Sequence, residues 1–388
     1  IIIYKLIIKL YFQEVFMKFT CNQLELTRTL NIVSKAISLR TTIPTLKGIN
    51  IDIKSGIATF TASDMDITIE NSIEVANSED GSIVVPAKLF GDIVRKLPNN
   101  DIEFNCEDEK ITIKCLTSEF SLVGMPSDEF PNIKNTEEDA KKLTFDKLKF
   151  ADMIRKTSFA ASIDQTKGVI TGILLEIAND NIKMVAIDGY RMAITSEEMA
   201  NKENHRIIIS AKIMNEISKI ISETNLNSDS EDINILVDNK SAVLMIDNIK
   251  VIMRLIAGEF IKYQDIIPKT ASINVKLRRS ELMECVERAS LLSKEGKNNL
   301  IKLSIKDNVI TITSRSEEGN VKEDLLAEKT GEDLDIGFNA KYIIDILKVI
   351  SDEEIIMKFN TSISPCLITP VGGESYEYLV LPVRLSNM

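Results

Sequence analysis

Three pairs of cations stand seven residues apart in this chain: Lys88 with Arg95, Lys212 with Lys219, and Lys341 with Lys348. Two turns of α-helix put such a pair on one face. Fixed cations on a face are suited to holding an anionic surface, not to breaking a bond. Residues for bond-breaking are sparse. The single histidine, His205, lies in the polar run NKENHR and forms no Ser-His or Cys-His arrangement. Asp64 and Asp66, with Glu70 beyond, could share one face of a strand and hold a metal for phosphoryl transfer. An acidic strand end and turn is the plainer account of them, because no matching cluster recurs. No GxxxxGK[ST] or GxGxxG loop occurs to cradle a phosphate. Asp188-Gly189, between β-branched flanks, reads as a hairpin turn, and Gly372-Gly373 as a flexible turn. Cysteines 21, 106, 115, 285 and 366 form no CxxC pair and read as buried or incidental thiols of a reducing compartment. Nothing in these residues demands an enzyme, a metal or a cofactor.

The elements that must position the cations repeat three times. In HRIIISAKIMNEISKII, a β-branched strand at Arg206–Ile209 runs into a helix with Lys212 and Lys219 on one side. Ile213, Met214, Ile217 and Ile220 form the apolar stripe opposite, and Ser210 stands at the N-cap position. The other copies are IVVPAKLFGDIVRKL, from Ile83, and IGFNAKYIIDILKVI, from Ile336. Their Ala-Lys pairs begin at Ala87, Ala211 and Ala340, spacings of 124 and 129 residues. A chain of 388 residues suits about three domains of ~100–150 residues. Each third is expected to open on a strand and a long helix: Asn22–Ile37, Lys147–Ala161 and Ser280–Leu292. Strands such as Gly48–Ile53, Ile57–Thr61, Gly172–Ile177 and Ile182–Ile187 follow. The strand–Ala-Lys–helix unit comes next, then closing strands such as Ile111–Cys115 and Ala242–Ile246. The class is α+β with mostly antiparallel sheet.

The net charge of −11 argues against nucleic-acid binding through global charge. It does not exclude cations gathered on one surface. Arg28, Lys35, Arg155, Lys156, Arg278, Arg279 and Arg288 add to the helices. The acidic excess falls in turns and loops: Ser78–Asp80, Glu107–Glu109, Glu137–Asp139, Asp229–Asp232, Glu332-Asp333 and Asp352–Glu354. The chain has no Trp and few aromatic residues, so no stacking platform for single strands is evident.

Residues 1–16, IIIYKLIIKLYFQEVF, are too short and too interrupted by Lys5 and Lys9 for a membrane span. They lack the small-residue cleavage site of a signal peptide. They are read as an extension upstream of a natural start at Met17. The alternative is a membrane-associating amphipathic helix.

From Met17 to Leu385 the chain resembles the bacterial DNA polymerase III beta subunits, the replicative sliding clamps. The resemblance is carried in order by MKFT at 17–20, RTTIPTL at 40–46, VPAKLFGDI at 85–93, FSLVGMPSDEFP at 120–131, AIDGYRMA at 186–193, IGFNAKYIIDIL at 336–347 and YLVLPVRL at 378–385. It implies three structurally repeated clamp domains, 17–142, 143–270 and 271–388. Antiparallel sheets would lie outside and helices would line a central hole, in a ring-shaped head-to-tail dimer. It implies a cytoplasmic, nucleoid-associated processivity factor without catalysis. Such a factor encircles double-stranded DNA without sequence preference. It tethers the polymerase III catalytic subunit, the clamp loader, and repair polymerases or ligase through short linear peptides. No membrane partner is implied.

Residue by residue, the resemblance assigns Arg40, Lys88, Lys167 and Lys212 to the DNA-facing surface; the helical spacing adds Arg95, Lys219, Lys341 and Lys348. It assigns the peptide pocket to Ile170, Ile187, Gly189, Tyr190, Arg191, Met192, Pro268, Leu379, Leu381, Pro382, Val383 and Arg384. There apolar walls would receive Leu or Phe side chains, and Arg191 or Arg384 would pair with polar groups of the peptide. Phe120 and Leu122, with Leu291 and Leu292, align with the subunit interface. The chain departs from relatives at Gly168-Val169, where some carry a tyrosine pair, and at Tyr190, where a histidine is common. Ser386–Met388 extend past the usual end. Taken without the resemblance, YLVLPVRL reads as a plain C-terminal strand stopped by Pro382. Two other functions stand beside the clamp: a metal-dependent phosphotransferase using Asp64 and Asp66, and a membrane-attached scaffold using residues 1–16. Each rests on one short segment.

Overall fold

Short β-branched runs joined by tight turns build most of the chain into antiparallel strands. The structure is a computed structural model that describes residues 16–38, 40–132, 140–178, 180–198, 204–224, 231–294 and 299–385. The readings made for residues 1–15, 137–139, 229–230 and 386–388 lie outside these. Two-residue connections with left-handed backbone turn several hairpins. They include Ser55-Gly56 (φ 52° and 82°), Asp247-Asn248 (φ 49° at Asp247) and Asp307-Asn308 (φ 50° at Asp307). Small polar residues and glycine tolerate that conformation.

The described residues form two compact units, Ile1–Thr144 with Glu223–Arg254, and Phe145–Ser222 with Leu255–Met388. The first holds a five-stranded sheet in the spatial order Ala76–Glu79, Phe16–Asn22, Asp101–Glu107, Lys110–Cys115, Ser118–Val123. Its second sheet has eight strands. There Ile249–Arg254 pairs antiparallel with Ile67–Glu74, so strands from two different thirds of the chain share one ladder. Helices α1 (Gln23–Val33) and α2 (Ala87–Lys96) pack together and bury Leu26, Leu30, Val33, Phe90, Ile93 and Val94. The Gln23 side-chain amide donates to the Val94 carbonyl at 2.8 Å and ties the two helices. Between them and the sheets, Phe19 stacks on Phe104 at 4.8 Å, with Phe60 and Phe90 edge-on.

The second unit carries a nine-stranded sheet in the order His205–Ser210, Gly172–Ala178, Asn181–Ile187, Arg191–Glu198, Tyr376–Val380, Cys366–Pro370, Glu354–Phe359, Ile273–Arg278, Glu328–Thr330. A four-stranded sheet runs Gly319–Leu326, Val309–Ser316, Leu300–Lys306, Leu334–Asn339. The helices are α3 (Lys147–Thr157), α4 (Ala211–Thr224), α5 (Arg279–Ser293) and α6 (Ala340–Val349). The stripe expected on α4 is buried: Ile213, Met214, Ile217 and Ile220.

The sequence expectations need two adjustments, at helix ends and in how the sheets run. The first long helix stops at Val33 and passes into a 3₁₀ turn at Ser34–Ala36, and the second stops at Thr157 before a similar turn at Ser158–Ala160. A tightened last turn satisfies terminal carbonyls at a helix end. Ser210, the last residue of its strand and opposite Gly172, stands directly before the first residue of α4, at the N-cap position expected. The sheets also run on across the boundaries between thirds. Arg191–Glu198 pairs with Tyr376–Val380, so the two compact units each take sheet from the middle of the chain.

Candidate functional site

The hairpin expected at Asp188-Gly189 anchors the site. The Asp188 carboxylate accepts from the backbone N–H of Tyr190 at 2.8 Å and of Arg191 at 3.0 Å, a local turn that closes on itself. Gly189 sits at φ 96°, where a side chain would strain the backbone. The turn sets the register Ile187 opposite Met192, and Met192 in turn lies opposite Leu379. The C-terminal segment is then fastened at both ends. Leu381 N–H donates to the Tyr190 carbonyl at 2.9 Å, and Val383 N–H to the Gly337 carbonyl at 2.8 Å. A Cβ at Gly337 would lie 2.7 Å from the Val383 carbonyl, so this approach needs glycine.

Ile187, Met192 and Leu379 belong to one apolar cluster, completed by Leu174, Val185, Ile194, Ile208, Phe260, Tyr263 and Leu367. Val169, Ile256 and Ile267 pack on it partly exposed. These neighbours were missed in the sequence; their signal is the β-branched alternation of strands facing the same side. Ile170 is half-buried beside Val169, and its carbonyl accepts from Ser162 N–H at 2.9 Å. Gly189, Leu381 and Arg384 are exposed; Pro382, Val383 and Pro268 are half-buried. Tyr190 is 57% exposed and stacks on Tyr342 with ring centroids 6.0 Å apart. Tyr342 is an aromatic wall the sequence reading did not assign.

Arg191 departs from its expected role. It is only 7% exposed. Its Nε donates to Asp188 at 3.0 Å, its Nη1 to Asp345 at 2.7 Å, and its Nη2 to the Phe159 carbonyl at 2.8 Å. The guanidinium lies over the rings of Phe159 and Tyr342, at 5.1 and 4.7 Å. Each of its three nitrogens donates within the chain, so it braces the pocket wall.

The cations occupy equivalent places. Lys88, Lys212 and Lys341 are each the second residue of their helix, and Arg95, Lys219 and Lys348 each the ninth. All six are exposed, as are Arg40 and Lys167. The expected division into basic helices and acidic loops is incomplete. Arg95 pairs with Asp92, Arg155 with Asp152 at 2.6 Å, Lys219 with Glu216 at 2.9 Å, and Lys341 with Asp345 at 3.3 Å. These carboxylates, three or four residues from their cations, hold the long side chains in place at small energetic cost. Asp152 is held below the ordinary carboxylate range: burial pushes it up, but hydrogen bonds from Lys156 and Arg155 outweigh that.

Two sheet edges carry the residues aligned with an interface. Phe120 and Leu122 lie on Ser118–Val123, at one edge of the five-stranded sheet, with Val123 70% exposed. Leu291, 66% exposed, and half-buried Leu292 lie on α5. That helix packs on Gly319–Leu326, an edge of the four-stranded sheet. Arg288 grips Glu323 of this edge through two bonds, at 3.0 and 2.8 Å. Asp64, imagined as a metal ligand, accepts from the backbone N–H of Asp66 and Ile67 at 3.1 and 3.0 Å and so caps its own turn. His205 opens a strand opposite Ile177. Burial pushes the Cys106 thiol up to about 11 and Cys21 to about 12, in keeping with inert, protonated thiols.

Comparison with known proteins gives one answer for residues 17–384. The family models for the DNA polymerase III beta subunit match in three parts: the N-terminal domain at residues 17–134, the central domain at 144–262 and the C-terminal domain at 264–384. The beta sliding clamp of Staphylococcus aureus is 35% identical over 381 residues, 95% of this chain and 99% of that protein. The solved DNA polymerase sliding clamp of Bacillus subtilis superposes with a TM-score of 0.90 at 32% identity, covering 95% of this chain and 100% of the other. A sliding clamp from Pseudomonas aeruginosa bound to griselimycin has a TM-score of 0.89 at 25% identity and the same coverage.

Proposed function

The chain belongs to the DNA polymerase III beta subunit family, and from that membership we propose that it works as a processivity clamp, closing head to tail with a second copy into a ring around duplex DNA. The observation that carries this is the threefold recurrence of exposed cations at the second and ninth residues of α2, α4 and α6. In this reading Lys88, Arg95, Lys212, Lys219, Lys341 and Lys348, joined by Arg40 and Lys167, meet backbone phosphates without reading bases. Their modest number, and the carboxylates beside Arg95, Lys219 and Lys341, suit a surface that slides instead of gripping. The negative remainder of the surface limits adhesion of DNA from outside.

Function rests on topology and requires no catalytic residue. The domains divide at 17–142, 143–270 and 271–388. The exposed edge Ser118–Val123 of one copy joins Gly319–Leu326 of the other. Phe120, Leu122, Leu291 and Leu292 fill the join, which covers edges that each copy alone would leave open. The apolar cluster around Ile187, Met192 and Leu379, rimmed by Ile170, Tyr190, Leu381 and Pro382, takes short linear peptides of the polymerase, the loader and repair enzymes. Work on the bacterial chromosome puts the ring in the cytoplasm with the nucleoid.

Reversing three charges together (K88E, K212E, K341E) tests the inner surface. The variant should keep the thermal stability of the parent, since all three side chains are exposed. Processive synthesis in a reconstituted polymerase assay should fall at least about tenfold as three attractive phosphate contacts become repulsive. Unchanged processivity would contradict the assignment.

A further inference from the structure

One face of the nine-stranded sheet carries a straight row across six strands. Ile187 lies opposite Met192, Met192 opposite Leu379, Leu379 opposite Leu367, Leu367 opposite Lys358, and Lys358 opposite Asn274. Directly opposed residues of antiparallel strands point to the same side. The first four belong to the apolar cluster of the pocket. The last two line a cleft of about 320 Å³, with Pro268, Lys269, Leu367 and Glu377 also on its walls. Leu367 therefore borders both pocket and cleft. The cleft is preformed. Asn360 donates to the Thr270 carbonyl at 2.8 Å and accepts from Ser272 N–H at 3.0 Å, which fastens its roof to the strand end. Lys358 is half-buried, Lys269 is exposed, and neither has an ion-pair partner among the described residues.

We propose that this cleft is a second subsite for the same partner peptide, taking a carboxylate-bearing side chain about three residues from the apolar anchors. The proposal rests on the peptide-pocket reading and adds to it a charge preference. The spacing follows from geometry: Lys358 lies two strands from Leu379, roughly 10 Å at ~4.8 Å per strand, and an extended chain advances ~3.3 Å per residue. Glu377 on the same wall keeps the cleft from being uniformly basic, so the fit is one carboxylate over Lys358 and not an acidic run. A half-buried ion pair at such a rim is worth about two- to fivefold in affinity, and less at high salt.

The test uses the full chain and fluorescein-labelled peptides with Leu and Phe anchors, read by fluorescence anisotropy at low salt. The peptides are unextended, or extended by three residues at either end to finish in Glu or Gln. On one side the Glu form should bind two- to fivefold tighter than the Gln form. Lys358→Gln should abolish that preference and Lys358→Glu should invert it, while the unextended peptide binds both variants as it binds the parent. No Glu preference at either end, or the same preference in both variants, would overturn the subsite and leave the pocket standing. Failure of the unextended peptide to bind would remove the pocket reading, and the subsite with it.

Discussion

Arg191 shows how far a residue's type and its use can diverge. In the sequence it is a cation beside apolar positions in a family motif, which suggests a ligand contact. In the fold it is buried between Asp188, Asp345 and the Phe159 carbonyl. Nothing local in sequence announces Asp345, 154 residues away, so the inward role was not legible. Truncation to Ala would take the cation from the Asp188 carboxylate, leave Asp345 with Lys341 alone, and open a cavity beside them. Breaking such a buried pair costs about 3 kcal/mol or more. Lys would restore charge but not the planar fork or its place between the Phe159 and Tyr342 rings. Chemical denaturation should register a loss of that size for Arg191→Ala and only partial recovery for Arg191→Lys. A loss under about 0.5 kcal/mol would mean the guanidinium is not the brace.

At the scale of elements, local pattern was the reliable guide. The stripe Ile213, Met214, Ile217, Ile220 predicted a helix with that buried face, and the helix has it. Asp188-Gly189 predicted a hairpin, and the Asp188 carboxylate closes it. Asp247-Asn248 and Asp307-Asn308 carry a similar turn signal, and both turn hairpins. Which strand neighbours which was not legible, because pairing between Arg191–Glu198 and Tyr376–Val380 joins segments far apart in sequence and leaves no periodic trace. The same holds for the apolar cluster: Met192 and Leu379 were assigned, but Leu367 and Phe260 become neighbours only through sheet order. The exposed edges lead to a further expectation. Leu291→Asp should leave the fold of the chain within about 0.5 kcal/mol of the parent, since the side chain is largely exposed. It should shift the light-scattering mass from twice the 43.5 kDa chain mass toward that mass itself. A variant that stays dimeric would exclude Leu291 from the interface.

For the molecule as a whole, charge shapes both stability and use. Glu323 is held below its ordinary value by Arg288, Asp333 by Lys329, and Asp335 by Lys302 and then Ser304; Asp324 is lowered by Thr311 and Lys322. A carboxylate with a depressed pKa in the folded state stabilises that state when ionised. Its contribution is complete above the ordinary values of 3.8 to 4.5 and is lost as pH falls through the lower folded values. The melting temperature should therefore hold from about pH 7 to about 5 and fall below about 4. A maximum near pH 3 would contradict the ion-pair account. The net charge of −11 alone pointed away from DNA; within the charge pattern, the recurrence of cations at matched helix positions pointed toward it, as did the family resemblance.

The central claim is that the chain holds DNA by enclosing it. The most direct measurement is retention of the labelled protein, after loading by a clamp loader, on a nicked circular duplex and on the same duplex cut once. Enclosure predicts slow loss from the circle and rapid loss after linearisation, at one salt concentration. Equal loss from both forms would show that the protein holds DNA by surface charge and not by topology.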